Sequence, residues 1–151
     1  MAGHVDKLLK AVPIFAGLDD AAVKLFVERA VKSEYPPGGI IAREGESNHC
    51  MYLIGSGSVR IVKYFGRADQ AELTVLGPKE FFGEMCILEP APRAATAQAI
   101  ERAIIFEIQA ASFHQLYKQM PAQYGILILN ISRDLSRRLR HLDEIFAARH
   151  K

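Results

Sequence analysis

The sequence predicts an α+β chain, mainly β, in which a β-roll sits between two helical ends. Two patterns carry that expectation. From Val31 to Ile108 the chain runs in short apolar stretches broken by Gly, Pro and polar residues, the texture of short strands joined by tight turns. On either side of this span, apolar residues recur instead at helical spacing. The 151 residues, half of them apolar, make a length typical of one domain that buries a core without staples. A single domain over 1–151 is expected, with helices over 1–30, the roll over 31–108 and helices over 110–149.

Two short helices are expected before the roll. Val5, Leu8, Leu9 and Val12 share one helical face, and Ala22, Val23, Phe26 and Val27 share another. Between them lies Pro13-Ile14-Phe15-Ala16-Gly17-Leu18-Asp19, where Pro and Gly interrupt the pattern and Asp19 or Asp20 can cap the second helix. The strands of the roll are expected at Val31–Tyr35, Ile40–Ala42, Met51–Ile54, Val59–Tyr64, Leu73–Leu76, Ala94–Ala99 and Ala103–Ile108. Pro36-Pro37-Gly38-Gly39, Gly55-Ser56-Gly57-Ser58 and Gly66-Arg67-Ala68-Asp69 supply the turn chemistry between them.

The chain closes in helices. Ala110 to Met120 carries Phe113, Leu116 and Tyr117 on one face and is ended by Pro121; a long helix then runs from Ala122 to about Arg149. In it Ile128, Leu135 and Leu142 stand at heptad spacing, with Ile131 and Ile145 at the companion positions and Leu139 and Phe146 widening the stripe. Arg138 interrupts one companion position. Such a seam serves either self-association or packing back on the roll, and its length favours a homodimer through helix 122–149. Arg133, Arg137, Arg138 and Arg140 form a basic stretch, but Asp134, Asp143 and Glu144 are interspersed, the pattern of a solvated helix face.

Composition excludes several classes. A formal charge of +2 and a pI near 8.6 are too mild to mark a nucleic-acid binder. Cys50 and Cys86 stand far apart and outside any Cys-x-x-Cys pattern, which gives no support to a zinc or iron–sulfur site and fits a reducing cytoplasm. His49, His114 and His141 have no partners at metal spacing, so no metal is expected. No window reaches the roughly 18 to 20 apolar residues of a membrane span, and the first ten residues do not form a signal peptide. A cytoplasmic protein without membrane contact is the expectation.

The most informative run is Phe82-Gly83-Glu84-Met85-Cys86-Ile87-Leu88-Glu89-Pro90-Ala91-Pro92-Arg93-Ala94-Ala95-Thr96. It places a carboxylate after a glycine, a short helical turn, a Pro-bounded loop and then an arginine opening a strand. Gly83 lets backbone approach a ligand closely. The N–H groups of the turn begun by Glu84 are expected to be unpaired and to face an anion, and Arg93 can neutralise a phosphate with paired hydrogen bonds. Glu84 would repel a phosphate; it suits a hydroxyl donor such as a ribose 2′-OH. No nucleophile stands beside a base in a catalytic motif, so an enzyme is not expected.

Gly83-Glu84 followed by Arg93-Ala94-Ala95-Thr96 resembles the phosphate-binding cassette of cyclic-nucleotide-binding domains, found in regulatory subunits of cAMP-dependent protein kinases and in catabolite-activator-type regulators. Val12-Pro13-Ile14-Phe15 with Gly17-Leu18, and Glu44-Gly45-Glu46 with Tyr52-Leu53-Ile54 and Gly57-x-Val59, resemble that family's helix junction and the spacing of its jelly-roll, or double-stranded β-helix, core. The resemblance implies that Arg93, with the N–H groups around Cys86 and Ala94, holds a cyclic phosphate, while Glu84 holds the ribose and Gly83 leaves it room. It implies cAMP as ligand, with cGMP second, because cGMP-preferring members often carry a hydroxyl residue after the arginine and Ala94 has none. Base contacts are assigned to Thr96, Leu142 and Asp143. Leu142 and Asp143 stand where regulators of the family place Thr-Ser, and Leu142 cannot hydrogen-bond a base. The expected role is a regulatory module whose C-terminal helices respond to ligand and act on a downstream protein that the sequence does not name. The second reading is the sensor part of a Crp/Fnr-type transcription regulator. With no helix-turn-helix after the long helix, direct nucleic-acid contact is not expected.

Overall fold

The computed structural model describes residues 2–150. Helix α1 (Ala2–Lys10), a 3-10 turn (Pro13–Phe15) and helix α2 (Asp20–Val27) precede eight strands: β1 (Val31–Tyr35), β2 (Ile40–Ala42), β3 (Cys50–Ser56), β4 (Val59–Lys63), β5 (Ala71–Leu76), β6 (Phe81–Phe82), β7 (Thr96–Ala99) and β8 (Ala103–Gln109). The one-turn helix α3 (Met85–Leu88) lies between β6 and β7, and α4 (Ala110–Gln119) and α5 (Pro121–Arg149) close the chain. The expected cap of α2 is Asp19, whose Oδ1 accepts the Ala22 N–H at 2.9 Å.

The strands form two four-stranded antiparallel sheets, β1-β8-β3-β6 and β2-β7-β4-β5. Period-two alternation explains why β3 and β8 read as nearly unbroken apolar runs. On β3, Met51 and Leu53 face the helices while Cys50, Tyr52 and Ile54 face the roll interior; on β8, Phe106 and Ile108 face the helices while Ala103 and Ile105 face inward. Each sheet face therefore has its own core. The helical side is closed by Phe15, Phe26 and Phe113, whose rings meet at 4.9 to 6.5 Å, with Leu116, Leu127 and Ile131 fully buried among them.

Beside shifts of one or two residues at the ends of β3, β4, β8 and α5, three differences from the sequence expectation stand out. β6 is only two residues long, too short to show a periodic signal, yet it pairs Phe82 with Tyr52 and Phe81 with Leu53. β5 begins at Ala71, because an edge strand needs a ladder on one side and not an apolar face. The last strand before Ala103 begins at Thr96, so Arg93 does not open it; the arginine lies in the loop ahead of β7.

The apolar stripe of α5 divides in two. Leu127 and Ile131 are buried, and Ile128 and Leu135 pack partly against the same core. From Ser136 onward every residue of the helix is exposed, so Leu139, Leu142 and Phe146 stand 61%, 59% and 63% accessible. Packing back on the roll and an open seam are both realised, in successive halves of one helix.

Candidate nucleotide-binding site

The site is built where β6 turns into α3. Gly83 sits at φ +83°, and a Cβ there would come within 3.0 Å of the Cys50 carbonyl oxygen and run into the Arg93 guanidinium. A left-handed backbone under a charged side chain is what this position requires, and glycine supplies it. The loop holding Arg93 is fixed through its own backbone: Arg93 N donates to Glu46 O at 2.9 Å, and Gly45 N donates to Arg93 O at 2.8 Å. The segment Glu44–Glu46 between β2 and β3 thus lies alongside the cassette.

Arg93 points inward over the Tyr52 ring, 5.1 Å from its centroid. Its Nη2 donates to the Cys50 carbonyl oxygen and to Asn48 Oδ1, the latter at 3.3 Å. Its Nε is buried and has no hydrogen-bond partner. A guanidinium carries five donors and no acceptor, and a buried donor without a partner is costly, so this arginine is short of a hydrogen-bond acceptor.

Glu84 is 3% exposed. It starts α3 without capping it; its carboxylate turns instead to the long helix, where Arg138 Nη1 donates to Oε1 at 2.6 Å. Arg138 is itself steadied by Asp134, at 3.1 Å one turn earlier, and lies 5.6 Å from the Phe81 ring centroid. The sequence assigns a hydroxyl partner to Glu84. A carboxylate offers about four acceptor positions, so Arg138 leaves room for one.

The other assigned residues divide. Cys86 lies on α3 and is partly buried, with its thiol pKa raised by burial, which the Arg93 charge only partly offsets. Its N–H is not unpaired as expected: it donates to Gly83 O at 3.3 Å, the three-residue turn bond common where a helix starts. Ala94 is exposed and its carbonyl accepts from Lys63 Nζ at 2.7 Å. Thr96 is buried on β7, where its Oγ1 accepts the Glu44 N–H at 3.0 Å. Leu142 and Asp143 are not brought to the cassette. Both lie past the point where α5 leaves the roll, and both are exposed; the residue of α5 that reaches the site within this chain is Arg138.

Sequence reasoning missed Arg138, Asn48 and Lys63. For Arg138 a signal existed, since a lone charge in a heptad stripe marks a helix position that faces something polar. Asn48 and Lys63 carry no such mark; only the fold brings them to Arg93 and Ala94.

The model of the cyclic nucleotide-binding domain family matches residues 32–120. The Cyclic AMP receptor protein of Thermus thermophilus is 31% identical over 135 residues, which cover 89% of this chain and 61% of that protein. The CRP-like cAMP-activated global transcriptional regulator of Mycobacterium tuberculosis is 28% identical over 144 residues, 95% of this chain and 62% of that protein. The crystal structure of the Thermus thermophilus catabolite activator protein aligns with a TM-score of 0.75 at 30% identity, covering 89% of this chain and 62% of that one. This chain therefore spans less than two thirds of the length of these relatives.

Proposed function

This chain belongs to the cyclic nucleotide-binding domain family, and from that premise we propose that it is a cAMP receptor whose C-terminal helix senses occupancy of the cassette. The observation that carries the ligand reading is Arg93: a guanidinium with a buried, unpartnered Nε, lying over a glycine whose positive φ and close neighbours would strain any side chain. A monoanionic cyclic phosphate supplies the missing acceptor. The ribose 2′-OH then donates to Glu84, and Ala94, lacking a hydroxyl, favours adenine over guanine. Thr96 is the candidate to face the base from within this chain; Leu142 and Asp143, which α5 carries past the cassette, could face it only across the inferred homodimer. This is a binding role with no catalytic step, and the relatives named above are receptors and regulators.

Coupling to α5 rests on Glu84. The carboxylate that a ribose would engage already holds Arg138, so an occupied site and an empty one place different demands on the helix. Ligand shifts the helix only to the extent that it prefers one arrangement. The exposed stripe Leu139, Leu142 and Phe146 is the surface through which we infer a homodimer, in a cytoplasmic setting; among the described residues no helix is long and apolar enough to cross a membrane. The downstream element is a separate protein or, as the greater length of the relatives supports, a further domain of a transcription regulator.

Calorimetric titration with cAMP, cGMP and linear AMP tests the reading. The expected order is cAMP tightest, and Arg93→Ala should cost about 2 to 5 kcal/mol of binding. A variant that binds cAMP as well as the parent chain overturns the assignment.

A further inference from the structure

Arg93 does not hold itself in place. Of the groups around its guanidinium, Asn48 is the side chain that ties the others together. Its Oδ1 accepts from Arg93 Nη2 at 3.3 Å and from the Cys50 thiol at 2.7 Å, while its Nδ2 donates to the Tyr52 hydroxyl at 2.6 Å. Tyr52 provides the ring under the guanidinium and is itself stacked on Phe82, with centroids 4.9 Å apart. One amide thus fixes the height of the ring, the orientation of the thiol and the edge of the arginine.

We propose that Asn48 is a positioning residue for anion recognition: it aims the Arg93 guanidinium without neutralising it. The choice of an amide matters. A carboxylate has nearly the same shape and could keep the same three contacts, since the phenol can donate to it, but it would pair with the guanidinium as an internal counter-ion. An amide oxygen holds the arginine through a neutral acceptor and leaves its full charge for the ligand. This inference rests on the cyclic nucleotide reading above and deepens it: the selectivity of the pocket for a charged phosphate over an uncharged nucleoside is set partly by a residue of the β2–β3 loop, outside the cassette.

The test uses the full chain as wild type, Asn48→Asp and Asn48→Ala. Each is titrated with cAMP and, by displacement of a fluorescent cyclic nucleotide, with neutral adenosine, after its thermal midpoint is measured. Asn48→Asp should weaken cAMP by about tenfold or more while leaving adenosine unchanged. Asn48→Ala should weaken cAMP less, again sparing adenosine, and it reads the same contrast if the Asp variant does not fold. Variants that bind cAMP like the wild type, or that lose cAMP and adenosine in equal measure, overturn the inference alone. A wild-type chain that binds no cAMP removes the cyclic nucleotide reading, and the inference with it.

Discussion

Arg138 and Glu84, on the long C-terminal helix and at the start of α3, form an ion pair at 2.6 Å in which the carboxylate side chain is 4% exposed and the arginine 49%. The asymmetry decides what each end is worth. Truncating the arginine strands a buried charge, whereas truncating the acid frees a half-solvated guanidinium still held by Asp134. Arg138→Ala is therefore expected to cost about 1 to 2 kcal/mol in urea unfolding, the figure reduced because Arg138 is half in water, and Glu84→Gln less. Amide exchange should quicken in α5 beyond Asp134 in the Arg138→Ala chain while staying slow around Leu127 and Ile131. Unchanged exchange there would detach the helix from the site.

Gly83→Ala places a Cβ on a left-handed backbone against the Cys50 carbonyl oxygen and the Arg93 guanidinium. It should destabilise the fold by about 1 to 3 kcal/mol and displace Arg93, weakening cAMP as well. Equilibrium urea unfolding checks the first effect and calorimetry the second. Gly38→Ala is the control for φ alone, because it shares the positive φ, at +83°, but has open space around it.

The exposed half of the α5 stripe bears on association. Leu142→Glu with Phe146→Glu should convert a dimer to a monomer in sedimentation velocity, with no fall in the thermal midpoint of the monomer. Both side chains are outside the roll core, so a loss of folding would contradict their placement.

The Cys50 thiol is pushed up from its ordinary 9.0 to about 11, chiefly by burial. The folded chain thus holds this proton more tightly than the unfolded one. Its contribution to stability is complete below about pH 9 and lost as the pH rises through about 11. Unfolding free energy should fall across that window, and Cys50→Ala should flatten the fall. Cys86, less buried, should react first with a thiol reagent at neutral pH.

Much of the fold is legible in the amino-acid sequence. Every strand except β6 falls on one of the short apolar runs that predict it, and the cassette residues from Gly83 to Arg93 come from one contiguous segment. Local chemistry suffices there, because glycine, carboxylate and arginine act within one turn and one loop. The partners of those residues are not legible. Asn48 reaches Arg93 from the β2–β3 loop, and Arg138 reaches Glu84 from a helix far along the chain.

What the sequence by itself determined was the roll, its flanking helices and the residue types of the cassette, since alternation, helical spacing and turn residues are local properties. What only the tertiary structure decided was how that cassette is held: where α5 leaves the roll, which of its residues meets Glu84, and which amide aims Arg93. Heptad spacing defines a helix face but not the length over which that face stays buried. That length is set by where the core ends, at Ile131 and Leu135, so Arg138 falls at the rim of the site and Leu142 beyond it.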